Sequence, residues 1–184
     1  MIENEVLRAI RERRSILRFR SDPVDDGKIN AILEAGRWAP SSGNSQPWEF
    51  IVVKDADKRQ RISDLAGRIT VARKGIEGAP AVIVTCVDPE KDSSHFVEDG
   101  AVATQNMALA AHSLGLASYW VGIYDRENMK GSVEEAVKEV LSIPKEYRVI
   151  AFLPIGQPLY NMQKDRKKLT EITHHDKFGN KPEA

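Results

Sequence analysis

The chain has 184 residues, 41% hydrophobic and 29% charged, with 27 basic and 27 acidic side chains in balance. This favours one soluble domain over residues 1–184, with a core able to stand alone, and argues against nucleic acid or an anionic membrane as partner. The single cysteine, Cys86, excludes an internal disulfide and suits a reducing compartment. No apolar run reaches the about 18 residues of a membrane span, and Met1–Glu5 has no signal-peptide character, so a cytoplasmic protein is expected.

In chain order, Ile2, Val6 and Ile10 recur at spacing four and predict a helix over Ile2–Arg14. Its closing Arg11, Arg13 and Arg14 complement the helix dipole; two guanidinium forks beside the Ser15 hydroxyl also suit a phosphate. Asp25 predicts an N-cap, followed by an apolar stripe of Ile29, Ile32, Leu33 and Trp38 that stops at Pro40. Pro40 to Pro47 encloses Ser41, Ser42, Gly43, Asn44, Ser45 and Gln46, a rigid run of donors and acceptors flanked by Trp38 and Trp48. It reads either as a plain turn or as a contact loop for a flat, heteroatom-rich ligand.

Phe50–Val53 predicts a buried strand, Asp55–Leu65 a charged helix and Thr70–Glu77 a short one. The bases on these two helices, Lys58, Arg59, Arg61, Arg68, Arg73 and Lys74, read as a solvated face, with contact to a nicotinamide cofactor's phosphate as the alternative. Ala81–Val87 is apolar almost throughout and predicts a strand buried on both faces, with Cys86 as a small core residue. The alanine-rich helix expected over 94–114 is apolar on most sides, which predicts packing against a second copy of itself; His95 and His112 on it are too far apart to share a metal. Leu116–Ile123 predicts a strand, Asp125 the cap of a helix to Leu141, and Arg148–Ile155 the last core strand. Residues 159–178 lack the periodicity to fold alone and must lie on something, and 179–184 read as a frayed tail.

Trp38-Ala-Pro-Ser-Ser-Gly-Asn-Ser-Gln-Pro-Trp-Glu-Phe50 resembles the flavin-contacting loop of the FMN-dependent nitroreductase family. Arg13-Arg14-Ser15, Asp99-Gly100-Ala101 with Gln105-Asn106 through Gly115-Leu116, and Pro154-Ile155-Gly156-Gln157-Pro158 resemble further blocks of that family, in its order. The resemblance implies an α+β fold with a mainly antiparallel sheet of about four strands flanked by helices. It also implies a homodimer built on the helix at about 94–114, with a C-terminal arm, 159–184, wrapping the partner subunit. It implies tightly bound FMN: Arg13, Arg14, Ser15, Lys164 and Arg166 toward the phosphate, Pro40, Ser41, Ser42, Asn44 and Gln46 toward ribityl and ring, and Trp120, Val121 and Gly122 offering a backbone N–H near the reactive nitrogen. The chain departs from the family at Leu17, where a base often stands two positions after the serine; here the base is Arg18.

The sequence holds no G-x-S-x-G, Cys-His pair, HExxH, CxxC or P-loop, as suits an enzyme whose chemistry a flavin carries. It also lacks G-x-G-x-x-G, so NAD(P)H is expected as a transient reductant. The implied activity is ping-pong reduction of a small-molecule acceptor, a nitroaromatic or a quinone. The alternatives are an FMN carrier without turnover and a flavin enzyme of the same fold that dehalogenates or breaks flavin down.

Overall fold

In a computed structural model that describes residues 2–71, 73–127 and 129–182, seven α-helices surround one antiparallel sheet of five strands. Helix α1 covers Glu5–Glu12, shorter at both ends than predicted. Asn4 caps it, its side-chain oxygen accepting from the Leu7 N–H at 2.9 Å, so residues before it lie outside the helix. Arg13 leaves helical geometry at ψ 131°, because the chain turns toward the sheet and the Ile16 N–H donates to the Ser118 carbonyl at 3.1 Å. Helix α2, Asp26–Arg37, starts at the expected Asp25 cap.

Strand β1, Trp48–Val53, is followed by α3, Ala56–Ala66, capped by Asp55, and α4, Arg73–Gly78. Strand β2, Ala81–Val87, has all seven residues buried. Helix α5 spans Phe96–Ser113. Strands β3, Ala117–Ser118, and β4, Val121–Gly122, precede α6, Val133–Leu141, and β5, Arg148–Gly156. A last short helix, α7, is Leu169–Ile172.

The sheet runs β1-β2-β5-β3, with β4 also paired to β5. Side-chain alternation on β2 divides the core. Val82, Val84 and Cys86 pack with Ile62 of α3, Ile76 of α4 and Val137 of α6. Ala81 and Ile83 pack with Ile32 of α2 and Met107 and Ala111 of α5. Helices therefore cover both faces, and this explains the unbroken apolarity of β2. Strand β1 is an edge, so its Phe50, Ile51 and Val52 are only half-buried, less than predicted.

Three further expectations need correction. The strand predicted over Leu116–Ile123 is split, which raises the count from four to five. The register against β5 is the same on both sides of the gap, so Tyr119 stands opposite Pro154, which has no N–H to give. The short helix expected at Thr70–Glu77 starts at Arg73, and position 72 lies outside the described residues. Asp125 caps no helix: its carboxylate closes a turn, accepting from the Glu127 and Met129 N–H groups at 3.1 and 2.7 Å, and Ser132 is the cap of α6. Among the described residues no helix is long and apolar enough to cross a membrane.

The arm lies at first on its own chain. The Leu159 N–H donates to the Arg18 carbonyl, the Leu17 N–H donates to the Tyr160 hydroxyl, and Tyr160 and Met162 pack on the core. Beyond them Leu169, Ile172 and Phe178 are exposed. Of the predicted frayed tail, Glu183 and Ala184 lie outside the described residues.

Glu134 ties these parts together. Fully buried, it accepts from Arg148 Nε at 2.8 Å, from the Val149 N–H at 2.9 Å and from the Asp125 N–H at 2.8 Å. Its removal leaves the Arg148 guanidinium, which stacks on Tyr124 at 4.5 Å, without its counter-charge. Glu134→Ala is expected to cost about 3–5 kcal/mol in urea unfolding; a loss under about 1 kcal/mol would show that the pair merely replaces its own desolvation cost.

Candidate functional site

The polar loop predicted between Pro40 and Pro47 contains one 3₁₀ turn, Ser42–Asn44, and a backbone that sequence alone does not explain. Gly43, Asn44 and Gln46 all have left-handed φ, at 53°, 59° and 47°. Such a φ costs a non-glycine residue about 1 kcal/mol or more, so something must hold it. The Gln46 N–H donates to Ser41 Oγ at 3.0 Å. The main brace is Asp99, buried in the first turn of α5: Oδ1 accepts from the Ser42 N–H at 3.1 Å and Oδ2 from Ser45 Oγ at 3.2 Å. Gly100 sets the depth of that brace, since a Cβ there would lie 2.7 Å from Ile150 Cγ1. Asp92, drawn below the usual carboxylate range by the Ser94 N–H first and also by the Ser42 side chain, adds a second acid beneath the loop.

Pro40, Ser42, Asn44 and Gln46 are left exposed and Ser41 half-exposed. The two flanking tryptophans differ. Trp48 is buried in the core under the loop. Trp38 is 71% exposed yet fixed, its indole N–H donating to Glu34 Oε1 at 2.7 Å with the Arg37 guanidinium 5.0 Å over the ring. Those contacts, Arg37 first and then Trp38, hold the Glu34 carboxyl down to about 2.

The predicted cations gather elsewhere. Arg13, Arg14 and Lys164 line a cleft of about 570 Å³ with Ser118 and His112, within the range of small-molecule pockets. Arg14 donates to the Arg13 carbonyl at 2.9 Å and the Lys164 carbonyl at 3.4 Å, but its buried Nε has no partner among the described residues. Burial first, then the charges of Arg14 and Arg166, push Arg13 below the usual guanidinium range. Glu12 and Asp165 share the lining, so the cleft carries three cations and two acids, with one buried donor unsatisfied among the described residues. Ser15 is exposed and bridged to Ser118, which carries this opening to the end of β3. Trp120 and Gly122 are exposed and the Val121 side chain is buried, so the segment can offer a ligand mainly backbone. Leu17 packs on the core, and neither it nor Arg18 lines the cleft, so the departure from the family's basic position is not made good there.

The profile of the Nitroreductase family matches residues 10–72 and 68–157, which include Arg13 and Arg14, the loop and the β3–β4 segment. The chain belongs to the nitroreductase family. It is 36% identical over 178 residues to an Archaeoglobus fulgidus protein provisionally named NADH dehydrogenase/NAD(P)H nitroreductase, covering 95% of this chain and 94% of that one. It superposes with a TM-score of 0.84 on an FMN-dependent nitroreductase from Clostridium difficile, 29% identical, covering 92% of this chain and 98% of the other. A 5,6-dimethylbenzimidazole synthase from Rhodospirillum rubrum is 28% identical over 173 residues, 79% of this chain and 78% of its own. These nitroreductase likenesses bear out the expected family and fold.

Within one chain the family's two groups of residues do not meet. The loop is braced at the first turn of α5, and the cationic cleft lies at its last turn. Asp99 and His112 are the members that motif reading left without a role. Asp99→Ala is expected to destabilise the fold by about 1–3 kcal/mol and to speed amide exchange at Ser42, whereas Asp99→Asn, which can still accept from Ser42 and donate to Ser45, keeps most of the brace. Equal exchange in both variants would remove Asp99 from that role.

Proposed function

We propose that this chain is an FMN-dependent oxidoreductase that draws electrons from NAD(P)H and passes them, in ping-pong order, to flat acceptors such as nitroaromatics and quinones. The observation that carries this reading is the cationic cleft with its unpaired, buried Arg14 Nε, a fit for a flavin's phosphate. When bound, FMN supplies the hydride chemistry itself. The chain's part is to bind and orient. Arg13, Arg14 and Ser15, with Lys164 and Arg166 of the arm, grip the phosphate. Pro40, Ser41, Ser42, Asn44 and Gln46 meet ribityl and ring edge, and the backbone of Trp120–Gly122 offers an N–H.

These groups serve one flavin only if two chains share it. From Asp99 to His112, α5 rises about 20 Å at 1.5 Å per residue. A second copy packed antiparallel along α5 brings its loop end beside the first copy's cleft end. Val102 is exposed on α5, and α1 buries none of its apolar residues, leaving Val6, Leu7 and Ile10 open to such a partner. The exposed Leu169, Ile172 and Phe178 of the arm fit the same role, a segment that crosses to the partner subunit.

Under anaerobic conditions the FMN-loaded protein should show flavin absorption that NADH or NADPH bleaches and a quinone restores. Bound flavin that neither reductant bleaches would point to an FMN carrier. Similarity to a dimethylbenzimidazole synthase favours flavin breakdown as the second reading; loss of the flavin itself when the bleached protein meets oxygen would select it. Arg14→Ala should weaken FMN by about 1.5–3 kcal/mol, read by fluorescence titration. Unchanged affinity would place the phosphate elsewhere.

A further inference from the structure

We propose that His112 is a titratable member of the cationic cleft, so that the protein binds a dianionic phosphate more tightly with the imidazole protonated. This rests on the flavin reading above and adds a residue and a proton to it. His112 sits in the last turn of α5, half-buried, and lines the cleft together with Arg13, Arg14 and Lys164. Its side chain has no hydrogen-bond partner among the described residues.

The groups that face it carry both signs. Arg13 and Arg14 come from the end of α1 with Glu12, and the arm brings Lys164 and Asp165. Arg166 adds its charge through Arg13, and Lys28 of α2 lies near the α5 terminus, donating to the Leu114 carbonyl at 2.9 Å. Burial holds the imidazole below its usual range; Glu12 pulls the other way, and Arg13 and Arg14 add to the depression. A phosphate bearing close to two negative charges offsets most of the positive excess around the ring and itself attracts an imidazolium. The neutral imidazole then gains a proton as the ligand enters.

The sign follows from linkage. The ligand-bound pKa is raised above the free one, so His112's contribution is full below the free pKa and lost as pH rises through the bound pKa. The phosphate's own second ionisation, at about pH 6, works in the opposite direction, but it is shared by every variant of the protein. A histidine that only complements the α5 dipole would leave the pH dependence of binding to the phosphate's own ionisation, because its protonation would not depend on the ligand's phosphate.

The test compares FMN dissociation constants of wild type and His112→Gln at about pH 6 and about pH 8.5, either side of the usual histidine range. The variant should bind about tenfold more weakly at the acid end and equally at the alkaline end, and riboflavin, which lacks the phosphate, should show no such change of ratio. Parallel pH curves for the two proteins overturn the proposal. Should the variant fail to fold, calorimetry of wild type at about pH 7.5 in buffers of different ionisation enthalpy decides it, since the phosphate is already dianionic there. Uptake of a fraction of a proton per FMN supports the proposal, and zero uptake or release overturns it. Absence of FMN binding at every pH overturns the flavin reading, and this inference with it.

Discussion

One rigid helix sets the geometry on which everything else depends. Helix α5 lies against the sheet through Met107, Ala108 and Ala111, and cannot bend without opening that core. Acids, Asp92 and Asp99, gather at the end where the loop is braced, and cations at the end where the arm returns. A helix N-terminus would ordinarily favour acids and a C-terminus bases, so the separation agrees with the dipole. It also keeps Asp92 and Asp99 away from the cleft, where the acids of the lining are Glu12 and Asp165. The two ends could not be merged in one chain without placing Asp99 among the arginines.

The core reflects the same economy. Cys86, the one thiol, is buried between strand and helices, and burial first, then the Glu134 charge, pushes it up to about 12. It is inert as a nucleophile. Glu134 and Arg148 are satisfied by each other and by backbone, which fixes the turn after β4 through the Asp125 N–H. None of these groups is left free to react.

What the sequence disclosed and what it withheld follow a physical line. Strand β2 was legible because a strand covered on both faces must be apolar at every position, and Ala81–Val87 is. The Asp25 cap was legible because a cap is a bond over three residues. Asp125 carries the same local signal, and its carboxylate does bind N–H groups two and four residues on, but the buried Glu134 claims the Asp125 backbone and the helix begins later. The split at Tyr119 was hidden because Pro154, across the ladder, is distant in sequence.

The site divides in the same way. The loop's polarity and the Arg13-Arg14-Ser15 opening are local and were plain; the left-handed backbone of Asn44 and Gln46 was not, because the residue that sustains it is more than fifty positions away. His112 offered still less, since a lone histidine on an alanine-rich helix has no spacing partner. Its neighbourhood exists only because α1 ends where Arg13 turns toward Ser118, and because the arm, fastened at Leu159 and Tyr160, brings Lys164 back over the same cleft. Three segments far apart in sequence thus converge on one space through backbone bonds, the Tyr160 hydroxyl and the Arg14 guanidinium. The cations in that space repel one another, Glu12 and Asp165 offset part of that repulsion, and the bonds that fasten the three segments hold the rest in place.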